Sequence, residues 1–210
     1  MPSISFYIIT LATFISLFFY KKLKNTKNIY FIYYLVFSFI TYLIGFIFKS
    51  VLEINDFPVY NTYVILSFLF YIYFYKKLFK NKRNKKIMNL FLILFLVFTI
   101  VDILVLKTDY YNDFIINSTI FVALLLIITL ILFLAEIINN ERIIFFIKKS
   151  FIFWISAGSL LFFVGIIPII VTASFLNFDG IFDTMLAGLN LVMYGSVILG
   201  FTFFDKKYDY

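Results

Sequence analysis

The chain contains no cysteine and no histidine. Disulfides, thiolate nucleophiles and iron–sulfur clusters are therefore outside its chemistry, and thiols give no guide to its redox compartment. Zinc sites of the His/Cys type are excluded as well, as are haem held by an axial histidine and any Ser–His or Cys–His relay. Proline is almost as scarce, at Pro2, Pro58 and Pro168 only. Helices are thus little interrupted, and the paired broken helices of many secondary transporters are missing. Charged residues make up 14% of the chain, too few to clothe a water-soluble globule of this size.

What fills the sequence is apolar. Of 210 residues, 64% are hydrophobic, and the mean hydropathy is +1.05. Seven membrane helices of roughly 20 residues use about 140 positions, which leaves loops and tails but no separate soluble domain. Residues 1–210 read as one transmembrane domain. The 32 Phe and 16 Tyr come with much Ile, Asn and Lys and with little Ala, Gly, Pro or Arg. AT-rich coding gives that skew, so the aromatic count by itself does not indicate an aromatic-lined site.

Apolar runs of helix length lie at about 3–20, 29–48, 60–75, 87–106, 118–138, 150–173 and 184–204. The third is short and is expected to extend into its flanks. The first has no basic segment before it and no small-x-small cleavage site, and Lys21, Lys22, Lys24 and Lys27 follow it. It reads as a retained helix, not a cleaved signal peptide. Stretches 21–28, 76–86, 139–149 and 205–210 carry 16 of the 18 Lys and Arg residues, and the alternate loops carry only Lys49 and Lys107. In loops this short the cationic side is the cytoplasmic side. The expectation is an all-α seven-helix bundle with its N-terminus outside and its C-terminus in the cytoplasm.

The segment KKLFKNKRNKK (76–86) concentrates Lys76, Lys77, Lys80, Lys82, Arg83, Lys85 and Lys86. Beside a membrane, such a cluster attracts anionic headgroups at about 1 kcal/mol per cation. It therefore predicts contact with membrane lipids or with an acidic partner protein, and not with nucleic acid.

Two ionisable residues fall inside the runs, where each costs about 2.5–3.5 kcal/mol on insertion scales. Asp102, in FTIVDILVL, lies roughly 7 Å below the outer end of the fourth run. Glu136 lies at the inner end of the fifth, near Arg142 and Lys148. The last two runs hold small residues at heptad spacing, Gly158 and Gly165 on one and Gly188 and Gly195 on the other, with Ser196 and Gly200 forming a further small-xxx-small pair. These six predict close helix packing. Pro168 leaves the carbonyl of Val164 without its helical donor. Asn190 and Tyr194 share one face and lie at a depth similar to Asp102, Pro168, Asn61 and Ser67. This convergence predicts a small polar pocket opening outward, lined by Asp102, Asn190 and Tyr194.

Several known chemistries fail on the residues. Retinal attachment needs a lysine on the last helix, and 184–204 has none. The Pro-Gln signature of small 3+1+3 carriers is missing, and Asp102 has no second buried aspartate for a paired-carboxylate hydrolase. The segments INDFPVYNTYVILSFLFYIYFYKKL (54–78) and FWISAGSLLF (153–162) resemble those of small uncharacterised seven-helix membrane proteins of bacteria. Such chains are broadly similar to the membrane input modules of sensor histidine kinases. The resemblance implies a bacterial inner-membrane protein with a sensory or accessory role, without a kinase half of its own, and it transfers no site residues. The reading is a non-enzymatic sensor or accessory subunit without cofactor or metal, acting through a partner. The alternatives are a small transporter or channel using Asp102, and a lipid-modifying membrane enzyme with Asp102 as base.

Overall fold

The computed structural model describes residues 4–139, 147–175 and 179–205, and every regular element among them is helical. We number the helices α1 (Ile4–Phe18), α2 (Tyr20–Leu23), α3 (Ile29–Ser50), α4 (Phe57–Leu78), α5 (Lys82–Leu104), α6 (Ile116–Ile138), α7 (Phe151–Phe175) and α8 (Asp179–Phe203). Six of them, α3 to α8, are long and apolar enough to cross a membrane. The first is shorter: its 15 residues reach about 22 Å, against a hydrocarbon core of about 30 Å. It ends where Phe19 N–H bonds the Ser16 carbonyl in a tightened turn, and helix resumes as α2.

Two boundaries differ informatively from the hydropathy reading. Helix α4 takes in flanking residues at both ends and reaches 22 residues, the extension a short run needs to span. Helix α5 starts at Lys82, five residues before its apolar run. The basic cluster is therefore a helical hairpin in place of a loop. Lys76 and Lys77 close α4, residues 79–81 turn, and Lys82, Arg83, Lys85 and Lys86 open α5. Arg142, Lys206, Lys207 and the side chain of Lys148 lie outside the described residues.

The helices form a closed ring, α1–α3–α4–α6–α7–α8 and back to α1, with α5 packed outside it against α4 and α6. Contacts gather the lysine-rich termini at one end. Lys22 Nζ donates to Phe204 O (2.6 Å), Lys27 Nζ donates to Lys77 O (3.2 Å), and Lys149 faces Asp205 (3.8 Å). Loops 51–56 and 105–115 meet at the other end, where Asn55 Nδ2 donates to Tyr111 O (2.8 Å). We refer to these as the basic end and the loop end.

The exterior is as apolar as the aromatic- and aliphatic-rich core, unlike that of a soluble bundle. Helix α1 turns Ser5, Ala12, Thr13 and Ser16 inward, while Leu11 and Phe14 stay 60% and 57% exposed. Helix α5 likewise exposes Leu90, Ile93, Leu96, Val97 and Ile100. A continuous apolar exterior over small and hydroxyl residues is what a hydrocarbon solvent selects. The protein is a multi-pass membrane protein.

The most extensive helix pair is α7 with α8. A Cβ on Gly158 would sit 2.5 Å from Ser196 Cβ, one on Gly165 2.5 Å from Leu189 Cδ2, and one on Gly200 2.9 Å from a ring carbon of Phe151. These three glycines and Ser196 form the close seam. Gly188 and Gly195 do not: a Cβ there meets nothing within 4 Å. Their heptad spacing is real, but it runs along a different stripe of α8 from the one that faces α7.

Gly158→Leu is expected to cost about 1–3 kcal/mol through overpacking. Gly195→Ala should be neutral or gain up to about 1 kcal/mol from helix propensity. Thermal unfolding in detergent, followed by circular dichroism, tests the contrast, and equal effects at the two positions would refute the assignment of the seam.

Candidate functional site

Two polar systems occupy the described interior. At the loop end, Asp102 is fully buried near the end of α5. Its carboxylate accepts from Ser118 Oγ (2.6 Å), Ser118 N–H (3.1 Å), Asn117 Nδ2 (3.2 Å) and Thr108 Oγ1 (3.0 Å). Ser118 is the third residue of α6, whose own capping position holds Ile115, with no side-chain acceptor. Asp102 thus supplies from a neighbouring helix the acceptor that an N-cap side chain normally supplies, and places negative charge at the positive end of the α6 dipole. Lys107, in the left-handed region at φ 55°, turns the chain after α5 so that Thr108 N–H returns to Asp102 O (3.3 Å).

Asn61 of α4 completes this junction. Its Oδ1 accepts from Ile115 N–H (3.1 Å), and its Nδ2 donates to the carbonyls of Tyr110 and Asp113, both at 2.8 Å. The other intramembrane carboxylate mirrors the arrangement at the basic end. Glu136, in the last turn of α6, accepts from the N–H groups of Lys80 (2.6 Å) and Asn81 (3.2 Å) and from Asn84 Nδ2 (2.8 Å), at the start of α5. Asp102 thus caps α6 from α5, while Glu136 of α6 holds the turn that leads into α5, whose cap is the Asn81 side chain.

The second system is a file of hydroxyls inside the ring. Helix α4 carries Tyr63, Ser67, Tyr71 and Tyr75 at strict four-residue spacing, and α3 opposes them with Tyr34, Ser38 and Tyr42 at the same spacing. The Tyr63 hydroxyl lies 3.1 Å from both the Tyr34 hydroxyl and Ser38 Oγ, and Tyr34 donates to Ser67 Oγ at 3.4 Å. Toward the basic end, Tyr71 meets Ser159 Oγ (3.1 Å) and Tyr75 meets Ser156 Oγ (2.9 Å), both across the ring on α7. Toward the loop end, the Tyr42 ring packs edge-on against that of Tyr63, Tyr194 is buried, and Asn190 Nδ2 donates to Ser5 Oγ of α1 (2.9 Å). The Tyr71, Tyr75 and Tyr194 side chains are no more than 2% exposed. Neutral hydrogen bonds therefore join α3 to α4 and α4 to α7, and separately α8 to α1.

The residues expected to line one outer pocket divide between these systems. Asn190, Tyr194 and Ser67 join the hydroxyl file. Asp102 and Asn61 belong to the loop-end junction, and α5 stands outside the ring, so Asp102 does not meet Asn190 or Tyr194. Pro168 is exposed on the outer face of α7 with Val164 and lines neither system. Depth along the axis placed these residues at one level, but helix rotation separates them. The four tyrosines Tyr34, Tyr63, Tyr71 and Tyr75 were not expected as site residues. The signal that finds them is the four-residue recurrence of hydroxyl side chains in YVILSFLFYIYFY, and the same recurrence in α3. The inner half of the bundle accordingly contains more polar groups than scattered Ser, Thr and Gly.

In comparisons with known proteins, no family model, no curated protein and no solved structure matches this chain.

Asp102→Ala is expected to lower stability by about 2 kcal/mol, because it leaves the donors of Ser118 and Asn117 without their charged acceptor. Asp102→Asn should fall between the two. Lys107→Gly should gain up to about 1 kcal/mol by relieving the left-handed turn. Unfolding midpoints in one detergent check the order, and a wild-type midpoint for Asp102→Ala would remove the capping role. In the same loop, bonds from the Asn112 side chain and from the N–H groups of Tyr111 and Asn112 hold the Asp109 carboxyl below the usual carboxylate range. Its contribution is complete above the unfolded value of about 3.9 and is lost as pH falls through the lowered folded value. Hydrogen exchange at Tyr111 and Asn112 should accelerate relative to the helices only below that window, and Asp109→Asn should remove the pH dependence.

Proposed function

We propose that this chain is a non-enzymatic sensor or accessory subunit of a bacterial inner membrane. In this reading it has seven spans, the N-terminus outside and the basic end in the cytoplasm, and it acts through a partner protein bound there. The observation that carries the reading is the hydroxyl file. Its members, the Tyr34–Tyr63–Ser38–Ser67 group, Tyr71–Ser159 and Tyr75–Ser156, succeed one another toward the basic end as separate neutral hydrogen bonds that can be broken and remade in another register. Each such bond in a membrane protein contributes only about 0.6 kcal/mol. Small rotations of α3, α4, α7 or α8 therefore cost little, as an element with two arrangements requires.

The basic hairpin supports an output at the other extremity. Lys82, Arg83, Lys85 and Lys86 crowd the first turn of α5, the wrong end of the helix dipole for cations. Asn81 accepting from Arg83 N–H (2.9 Å) and the Glu136 carboxylate offset that cost. Lys82, Arg83 and Lys86 are exposed, available to an acidic surface or to anionic headgroups.

Transport is the second reading, and the alignment of the same hydroxyls along one face of α4 favours it. Its path would run along Tyr63, Ser67, Tyr71 and Tyr75; Asp102, on α5, stands off that line. Purification from native membranes in mild detergent, with mass spectrometry of what is retained, separates the two. A stoichiometric partner that Lys82→Glu with Arg83→Glu reduces about ten-fold would support the sensor reading. A partner-free protein with proteoliposome flux that Tyr71→Phe abolishes would overturn it in favour of transport.

A further inference from the structure

Between α3 and α4 the outer surface of the ring is creased by a groove of about 340 Å³. Tyr30, Tyr33 and Phe37 form one wall, Leu66, Phe70 and Tyr73 the other, and Tyr34 the floor. The floor is rigid, since the Tyr34 and Phe70 rings stack with centroids 4.5 Å apart and planes 11° apart. From Tyr30 to Phe37 the groove runs about 10 Å along α3, from the basic end toward mid-span. Its lining is almost wholly apolar, and it opens sideways, where the surrounding medium is hydrocarbon.

The mouth is cationic. Lys77, in the last turn of α4, holds its ammonium 4.5 Å from the Tyr30 ring centroid and 4.4 Å from that of Tyr73, and donates to the Tyr30 hydroxyl at 3.2 Å. The two rings fix the charge at the rim without neutralising it. Among the described residues no carboxylate pairs with it. Lys27 reaches the same end of α4, its ammonium donating to the backbone carbonyl of Lys77 at 3.2 Å. Two unneutralised cations therefore stand at headgroup level above an apolar crease that descends into the acyl region.

We propose that this groove is a binding site for one anionic glycerophospholipid, with its phosphate at Lys77 and Lys27 and one acyl chain along Tyr33, Phe37, Leu66 and Phe70. A zwitterionic lipid satisfies the apolar part and leaves the cations unmatched. A second copy of the chain would have to bring acidic groups to the same rim. The site stands whether or not a partner protein is found.

Native mass spectrometry of the delipidated full chain with equimolar phosphatidylglycerol and phosphatidylcholine of identical acyl chains tests it. One phosphatidylglycerol per chain should be retained in preference, and excess inorganic phosphate should not displace it. Lys77→Gln and Lys27→Gln should each reduce the preference about five-fold. Leu66→Trp should reduce retention of both lipids by filling the groove. Lys82→Gln with Arg83→Gln, and Lys49→Gln at the other end, should leave the tightly held lipid in place. Equal retention of the two lipids, a preference indifferent to Lys77→Gln, or a two-chain species that Leu66→Trp returns to one chain would each overturn the assignment.

Discussion

Polar groups inside a bilayer have no water to turn to, so each must find its partner within the chain. The two intramembrane carboxylates of this protein meet that demand in the same way. Asp102 and Glu136 sit near the ends of α5 and α6 and accept from the opening turn of the neighbouring helix. Helix starts are where unsatisfied N–H groups accumulate, and a carboxylate is the strongest acceptor a side chain can offer them. The α5–α6 hairpin is thereby closed at both ends. Its α6 is a member of the ring and its α5 lies on the outer flank, and neither contributes to the hydroxyl bonds inside.

Within the ring the same demand is met by neutral groups. The hydroxyls of α3 and α4 face each other at matching four-residue intervals and reach across to Ser156 and Ser159 on α7. Charge holds the periphery fixed, and neutral hydroxyls hold the centre. A charge-assisted bond is about twice as strong as a neutral one, so the periphery resists rearrangement more than the centre does. Tyr34 belongs to both the centre and the outer surface. Its hydroxyl sits in the file, while its ring floors the groove between α3 and α4.

Much of this was legible in the residues. Hydropathy located all six membrane-length helices, and the spacing of small residues located Gly158, Gly165 and Gly200 at the α7–α8 seam. Depth along each span was also recoverable, because the rise per residue is fixed. Rotation about the helix axis was not. Asp102 and Asn190 lie at similar depths yet belong to different systems, and Gly188 repeats with the correct period on the wrong stripe. In a chain apolar on every face, hydrophobic periodicity carries almost no rotational information. The periodicity of hydroxyl groups carries it instead, and in α4 that signal lay among aromatic residues whose abundance composition already explained. The basic segment 76–86 stood out by charge, but the turn at 79–81 that makes it a helical hairpin is held by Glu136, fifty residues further on.

Ring closure has a consequence for assembly. The helix that completes the ring against α1 is α8, which is synthesised after the other ring helices. Until it arrives, Ser5 has no Asn190 to bond, and the small-residue face of α1 is covered by α3 alone. Pairing of the first and last helices is the most non-local contact the topology allows, and such contacts form late. The hairpin of α5 and α6, adjacent in sequence and capped at both ends, needs nothing that follows it. Biogenesis should therefore pass through a half-closed horseshoe with a finished hairpin on its flank, whose open seam is the surface that insertion machinery has to shield.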